Sequence, residues 1–124
     1  MAAFSGKFRT TFAAAALVSL LSPTISHAGA PAFYHYYYVY KNAFDVCGDL
    51  VNEVYGNADK NWHFPKSRVR QHSAVFSAGD VRGSLRCLAK RSDESWVVIV
   101  ATGNDSGKTR DLFDELKIGI CGNC

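Results

Sequence analysis

The sequence predicts an α+β fold, a two-layer sandwich with a mainly antiparallel four-stranded sheet and two helices on one face, in the order β-α-β-β-β-α. Three patterns carry this reading. Aromatic and β-branched runs at 31–40 and 95–102 suit a pleated surface. Apolar residues recur at helical spacing after Asn42 and again around Leu112. Between them, Ala78-Gly79-Asp80 separates two strand-like runs as a hairpin turn does. A ferredoxin-like order needs a further strand after the second helix, and residues 118–124 are too few to supply one.

The first strand is PAFYHYYYVY, where alternation sets Tyr34, Tyr36, Tyr38 and Tyr40 on one face and Phe33, His35, Tyr37 and Val39 on the other. Asn42 is a good N-cap for the first helix, whose apolar stripe is Ala43, Cys47, Leu50, Val51 and Val54; Asp45 suits its first turn and Gly56 its C-cap. Gly48 costs about 1 kcal/mol relative to Ala inside a helix, which points to close packing there. Residues 57–66, rich in Asn, Asp and Lys and holding Pro65, read as a loop pinned by Trp62 and Phe64. Strands follow at 70–77 and 81–89. In the latter, Val81, Gly83, Leu85, Cys87 and Ala89 alternate with Arg82, Ser84, Arg86, Leu88 and Lys90, an apolar face against a largely basic one. Residues 90–94 form a polar turn, and SWVVIVAT at 95–102 reads as a central strand. After a polar loop at 103–108, Leu112, Phe113 and Leu116 mark a second helix ending near Gly119.

The chain has 124 residues, 48% hydrophobic and 20% charged, proportions that exclude collagen-like, mucin-like and wholly disordered classes. Residues 1–28 read as a secretory signal peptide: Lys7 and Arg9 precede an apolar run from Phe12 to Leu21, and Ser26-His27-Ala28 offers a cleavage site. That run is too short to span a bilayer, for which about 20 residues are needed, and no later segment reaches that length. The expected product is exported to the periplasm or secreted, with one small domain over 29–124. Removing 28 of 124 residues leaves 96, and removing Lys7 and Arg9 leaves 12 basic residues against 11 acidic, a net charge of about +1. Attraction of the whole chain to nucleic acid does not follow from so small a charge.

A domain of this size benefits from cross-links, and all four cysteines, Cys47, Cys87, Cys121 and Cys124, fall in the exported part. Counting leaves three pairings open. Periodicity favours one: Cys47 lies in the helix stripe and Cys87 on the apolar strand face, so the two are expected to bridge helix to sheet. Cys121 and Cys124 then form a C-x-x-C at the chain end. Thiol oxidoreductases share this spacing, but their thiolate is stabilised at a helix N-terminus, whereas this pair follows a helix. A local structural disulfide is the expectation, with a thiol–disulfide redox protein as the alternative function.

Gly103-Asn104-Asp105-Ser106-Gly107-Lys108-Thr109 imitates a phosphate-binding loop but has three residues between its glycines where that motif needs four. His35, His63 and His72 lack metal-site spacing, and no hydrolase motif is present. No catalytic residue, metal or cofactor is expected. The remaining candidate is a binding surface made of Tyr34, Tyr36, Tyr38 and Tyr40 with Arg82 and Arg86, residue types that concentrate at binding hot spots. The expected role is a non-enzymatic binding module for a protein or envelope component, with neither nucleic acid nor a membrane span involved and its oligomeric state undetermined.

From Tyr34 through Gly103, a strand, a helix with a central Cys47, a hairpin, Arg86-Cys87-Leu88-Ala89 and Trp96-Val97-Val98-Ile99-Val100 together resemble small exported bacterial domains of unknown function. The resemblance implies the same α+β fold, with the helix and strand cysteines as landmarks. It implies no activity, and Cys121 and Cys124 depart from it.

Overall fold

A computed structural model of the chain describes residues 31–124; the leader expected over 1–28 lies outside them. The elements are β1 (Ala32–Tyr40), α1 (Phe44–Trp62), β2 (Lys66–Arg70), β3 (Ser73–Ala78), β4 (Val81–Arg91), β5 (Glu94–Gly103) and α2 (Ser106–Cys121). The sheet is antiparallel throughout, in the order β1-β5-β4-β3-β2. The α+β class and the two helices agree with the sequence reading, but the sheet has five strands rather than four and the element order is β-α-β-β-β-β-α rather than β-α-β-β-β-α.

Alternation decides which residues form the core. Ala74, Phe76, Leu85, Cys87, Val97 and Ile99 project from one sheet face and meet Cys47, Val51, Val54 and Ala58 of α1 and Leu112, Leu116 and Ile120 of α2. Helix α1 lies over β4 and β3, and α2 over β5 and β1. Cys47 and Cys87 are joined across this interface, with Cα atoms 6.1 Å apart. Gly48 sits where α1 crosses the β2–β3 turn: a Cβ there would stand 2.3 Å from the Gln71 carbonyl oxygen. The close approach inferred from that residue is therefore to backbone, and Ala has no room.

Three boundaries differ from the sequence reading. Gly56 lies inside α1, which runs to Trp62 because Val51, Tyr55, Ala58 and Trp62 extend the apolar stripe past the polar residues between them. Its C-cap is His63, in the left-handed region at φ 49°, and at the other end Ala43 replaces Asn42 as N-cap. Second, the run read as a single strand at 70–77 holds the last residue of β2, a turn and most of β3. Arg70 pairs with Ser73, so Gln71 and His72 form a two-residue turn that uses no positive φ and thus carries no Gly or Asn signal. Third, Gly119 lies within α2, against Val54, rather than at its end. Among the described residues no helix is long and apolar enough to cross a membrane.

Candidate binding surface

Because both helices cover one side of the sheet, its other side is open. Register aligns that side in rows. Arg70, Ser73, Arg86, Val98 and Tyr37 form one; Arg68, Val75, Ser84, Val100 and His35 the next; Lys66, Ser77, Arg82, Thr102 and Phe33 the third. Each row starts basic on β2, passes small and β-branched residues, with Arg86 and Arg82 on β4 in the first and third, and ends aromatic on β1. Leu88, Trp96 and Val39 extend the apolar end. Phe33, Tyr37 and Val75 are 63%, 60% and 55% exposed, far more than residues packed under a second layer.

The basic half encloses two adjoining depressions. One, of about 650 Å³, is lined by Lys66, Arg68, Val75, Ser77 and Arg82. The other, of about 360 Å³, is lined by Arg68, Arg70, Ser73, Val75, Ser84 and Arg86. Arg68 and Val75 belong to both. Among the described residues, Lys66, Arg68, Arg70, Arg82 and Arg86 form no ion pair. The one acidic residue on the strands, Glu94, is held by Lys41 and by Lys90 at 3.0 Å. Those two ammonium groups, Lys41 first, hold its carboxyl far below its usual range, at about 2. Most other acids, among them Asp45, Asp49, Glu53, Asp111, Asp114 and Glu115, lie on the helices. The small net charge thus conceals a molecule with a cationic sheet face and an anionic helix layer.

The predicted surface residues divide between the two faces. Arg82 and Arg86 lie on the open face. Tyr34, Tyr36, Tyr38 and Tyr40 are half-buried on the helix side: Tyr34 stacks on Phe113 with ring centroids 5.5 Å apart, and Lys117 Nζ sits 4.8 Å from the Tyr36 ring. The aromatic partners of the arginines are instead Phe33, His35 and Tyr37, whose rings follow one another along β1 at 5.7 and 5.8 Å. Lys66 falls at the end of the loop read at 57–66, Arg68 between that loop and the strand read at 70–77, and Arg70 within that strand but not assigned to a surface. Their alternation with Ser67 and Val69 was the available signal.

The other candidates resolve into structure. Asp80 Oδ2 accepts hydrogen bonds from the amides of Asn104 and Asp105, both at 3.1 Å, so the loop that imitates a phosphate cradle is turned onto the carboxylate of the β3–β4 turn. Asp105 caps α2 by accepting from the Lys108 amide at 3.0 Å. Cys121 and Cys124 are joined at the C-terminal end of α2, where the helix dipole opposes a thiolate. His63 caps α1, and His72 stacks on Phe44 with centroids 3.8 Å apart. Among the described residues no three His, Cys, Asp or Glu side chains converge to hold a metal ion.

A scan against models of known protein families matches none to this chain, and a search of curated proteins likewise finds no match.

Proposed function

We propose that this protein is a non-enzymatic binding module that acts outside the cytoplasm, in the periplasm or beyond it, and holds an anionic partner on the open face of its sheet. One observation carries the reading: five cations, Lys66, Arg68, Arg70, Arg82 and Arg86, converge unpaired around two connected depressions while the acids lie mostly on the opposite layer. Guanidinium groups bind carboxylate and phosphate through two parallel hydrogen bonds, and four of the five are arginine. The neighbouring Phe33, Tyr37 and Trp96 offer flat apolar area to the remainder of the same partner. The leader composition and the paired cysteines support export to an oxidising compartment. For the alternative, thiol–disulfide exchange, the pair at 121 and 124 lies at the wrong end of its helix.

The test is calorimetric titration of the purified protein with polyglutamate and with polyphosphate, at low and at moderate salt. The expected result is saturable, salt-sensitive binding of at least one polyanion, weakened at least about tenfold in Arg68→Glu with Arg86→Glu, a change of about 1.4 kcal/mol or more. Both side chains are exposed, so the variant keeps its fold, which its circular dichroism and unfolding midpoint verify. Absence of binding to both probes, or equal binding by the variant, overturns the proposal.

A further inference from the structure

We propose that β1 is a homodimer interface, its outer edge, which is unpaired among the described residues, pairing antiparallel with the same edge of a second copy so that two five-stranded sheets join into one of ten strands. This goes beyond the ligand reading and rests on the sheet edge rather than the basic face.

An edge strand turns alternate backbone amides and carbonyls away from its neighbour, and proteins guard such edges with charge, proline, bulges or short length. β1 has none of these. It is nine residues long, AFYHYYYVY, and pairs with β5 from Ala32 to Tyr40 without a register shift. It contains no Lys, Arg, Asp, Glu, Pro or Gly. The opposite edge is guarded: β2 is five residues long and alternates Lys66, Arg68 and Arg70, whereas a proline precedes each of the two strands, Pro31 before β1 and Pro65 before β2. Two copies meeting there would set like charges against each other. The two edges of one sheet therefore differ in the property that decides whether another strand adds.

The occupant follows from charge and symmetry. β1 has no formal charge with which to select an acidic or basic strand, and Lys41 just beyond it is already paired with Glu94. A second β1 is neutral and aromatic in the same way. Antiparallel pairing centred on Tyr36 sets Phe33 opposite Val39 and His35 opposite Tyr37 on the open face, and Tyr34 opposite Tyr38 on the helix face. Phe33, Tyr37 and Val39, now 63%, 60% and 37% exposed, gain apolar neighbours. Such a twofold contact uses the same patch on both copies and closes on itself. Growth into a filament would require the β2 edges, which repel.

The test combines sedimentation equilibrium of the purified protein with residue-resolved amide hydrogen exchange. A dimer is expected in which every amide from Phe33 to Val39 is protected, with Tyr37→Lys shifting the population to monomer while leaving the disulfide pattern and far-ultraviolet spectrum unchanged. Tyr37 is exposed, so the substitution leaves the core intact. Three results overturn the proposal: a monomer up to submillimolar concentration with alternate β1 amides exchanging freely, a dimer in which those amides still exchange freely, and a monomer with all of them protected. The second places the contact elsewhere, and the third assigns the protection to a cover within the same copy.

Discussion

Glu94 is where a single side chain has a pH signature. Its carboxylate receives Lys41 and Lys90, ties the end of β1 to the β4–β5 hairpin, and is held at about 2 instead of the usual 4.5. A carboxyl with a depressed folded-state value binds its proton more readily in the unfolded chain, so the stabilisation is complete above about 4.5 and is lost as the pH falls through about 2. Lys41 is 76% exposed, so part of the effect is screened by salt. Glu94→Gln is accordingly expected to be less stable than wild type at neutral pH and to converge with it near pH 2. Urea unfolding of both proteins across that range checks this, and a constant difference at every pH would assign the effect to packing. Ser95 beside it is fully buried, its hydroxyl donating to the Asn42 carbonyl at 3.0 Å. Asn42 thus serves the fold through its backbone, although its side chain is what suggested an N-cap.

At the scale of elements, the β3–β4 turn and the start of α2 form one unit through Asp80. Removing its carboxylate leaves the Asn104 and Asp105 amides without their charged acceptor. Hydrogen bonds to charged groups are worth about 1.5–3 kcal/mol, and solvent exposure at this turn places the loss for Asp80→Ala near 1.5 kcal/mol. Chemical denaturation measures the loss, and faster hydrogen exchange confined to residues 104–110 would localise it. A stability change under about 0.5 kcal/mol, as at ordinary surface positions, would show that the loop holds its shape unaided. This link was illegible in the sequence because it joins residues 24 and 25 positions apart. What was legible had a period. β1 and β4 emerge from alternation and both helices from their stripes, because burial on one face imposes the pattern, while β5 emerges from its near-continuous apolar run. β2 is exposed along its whole length, so no burial pattern marks it. The last two turns of α1 were lost for a related reason: Asn57, Asp59, Lys60 and Asn61 face outward and outnumber Ala58 and Trp62, which carry the stripe on.

Over the whole molecule, the sequence separates the two faces of each strand but cannot say which faces coincide. Tyr36 and Arg86 each sit on a clear alternating face; their placement on opposite sides depends on β5 lying between β1 and β4, a matter of strand order and register. The pairing of Cys47 with Cys87 was readable because a helix stripe and an apolar strand face in a small domain have one core to share. That pairing leads to a comparison between the two disulfides. Cys47 and Cys87 are 40 residues apart, link the helix layer to the sheet, and are 0% and 3% exposed. Cys121 and Cys124 are three apart and close a tight loop at the end of α2, with Cys121 half-buried at the margin of the core and Cys124 exposed. In the chain-entropy account, a cross-link at the wider spacing stabilises by about 4 kcal/mol, and one at the shorter spacing by about 2 kcal/mol at most. Cys47→Ala with Cys87→Ala also empties core volume, which adds to its cost. Because net stability for small domains is about 5–15 kcal/mol, that double variant is expected to be marginal at 37 °C, whereas Cys121→Ala with Cys124→Ala remains folded. Equilibrium unfolding of the two variants beside wild type measures both losses. A larger loss from the terminal pair would relocate the principal clamp from the core to the end of α2. Stepwise reduction offers an independent measure: the terminal bond, reachable from its exposed Cys124 side, is expected to open in mild thiol while the native fold persists, and the buried bond to open only as the domain unfolds.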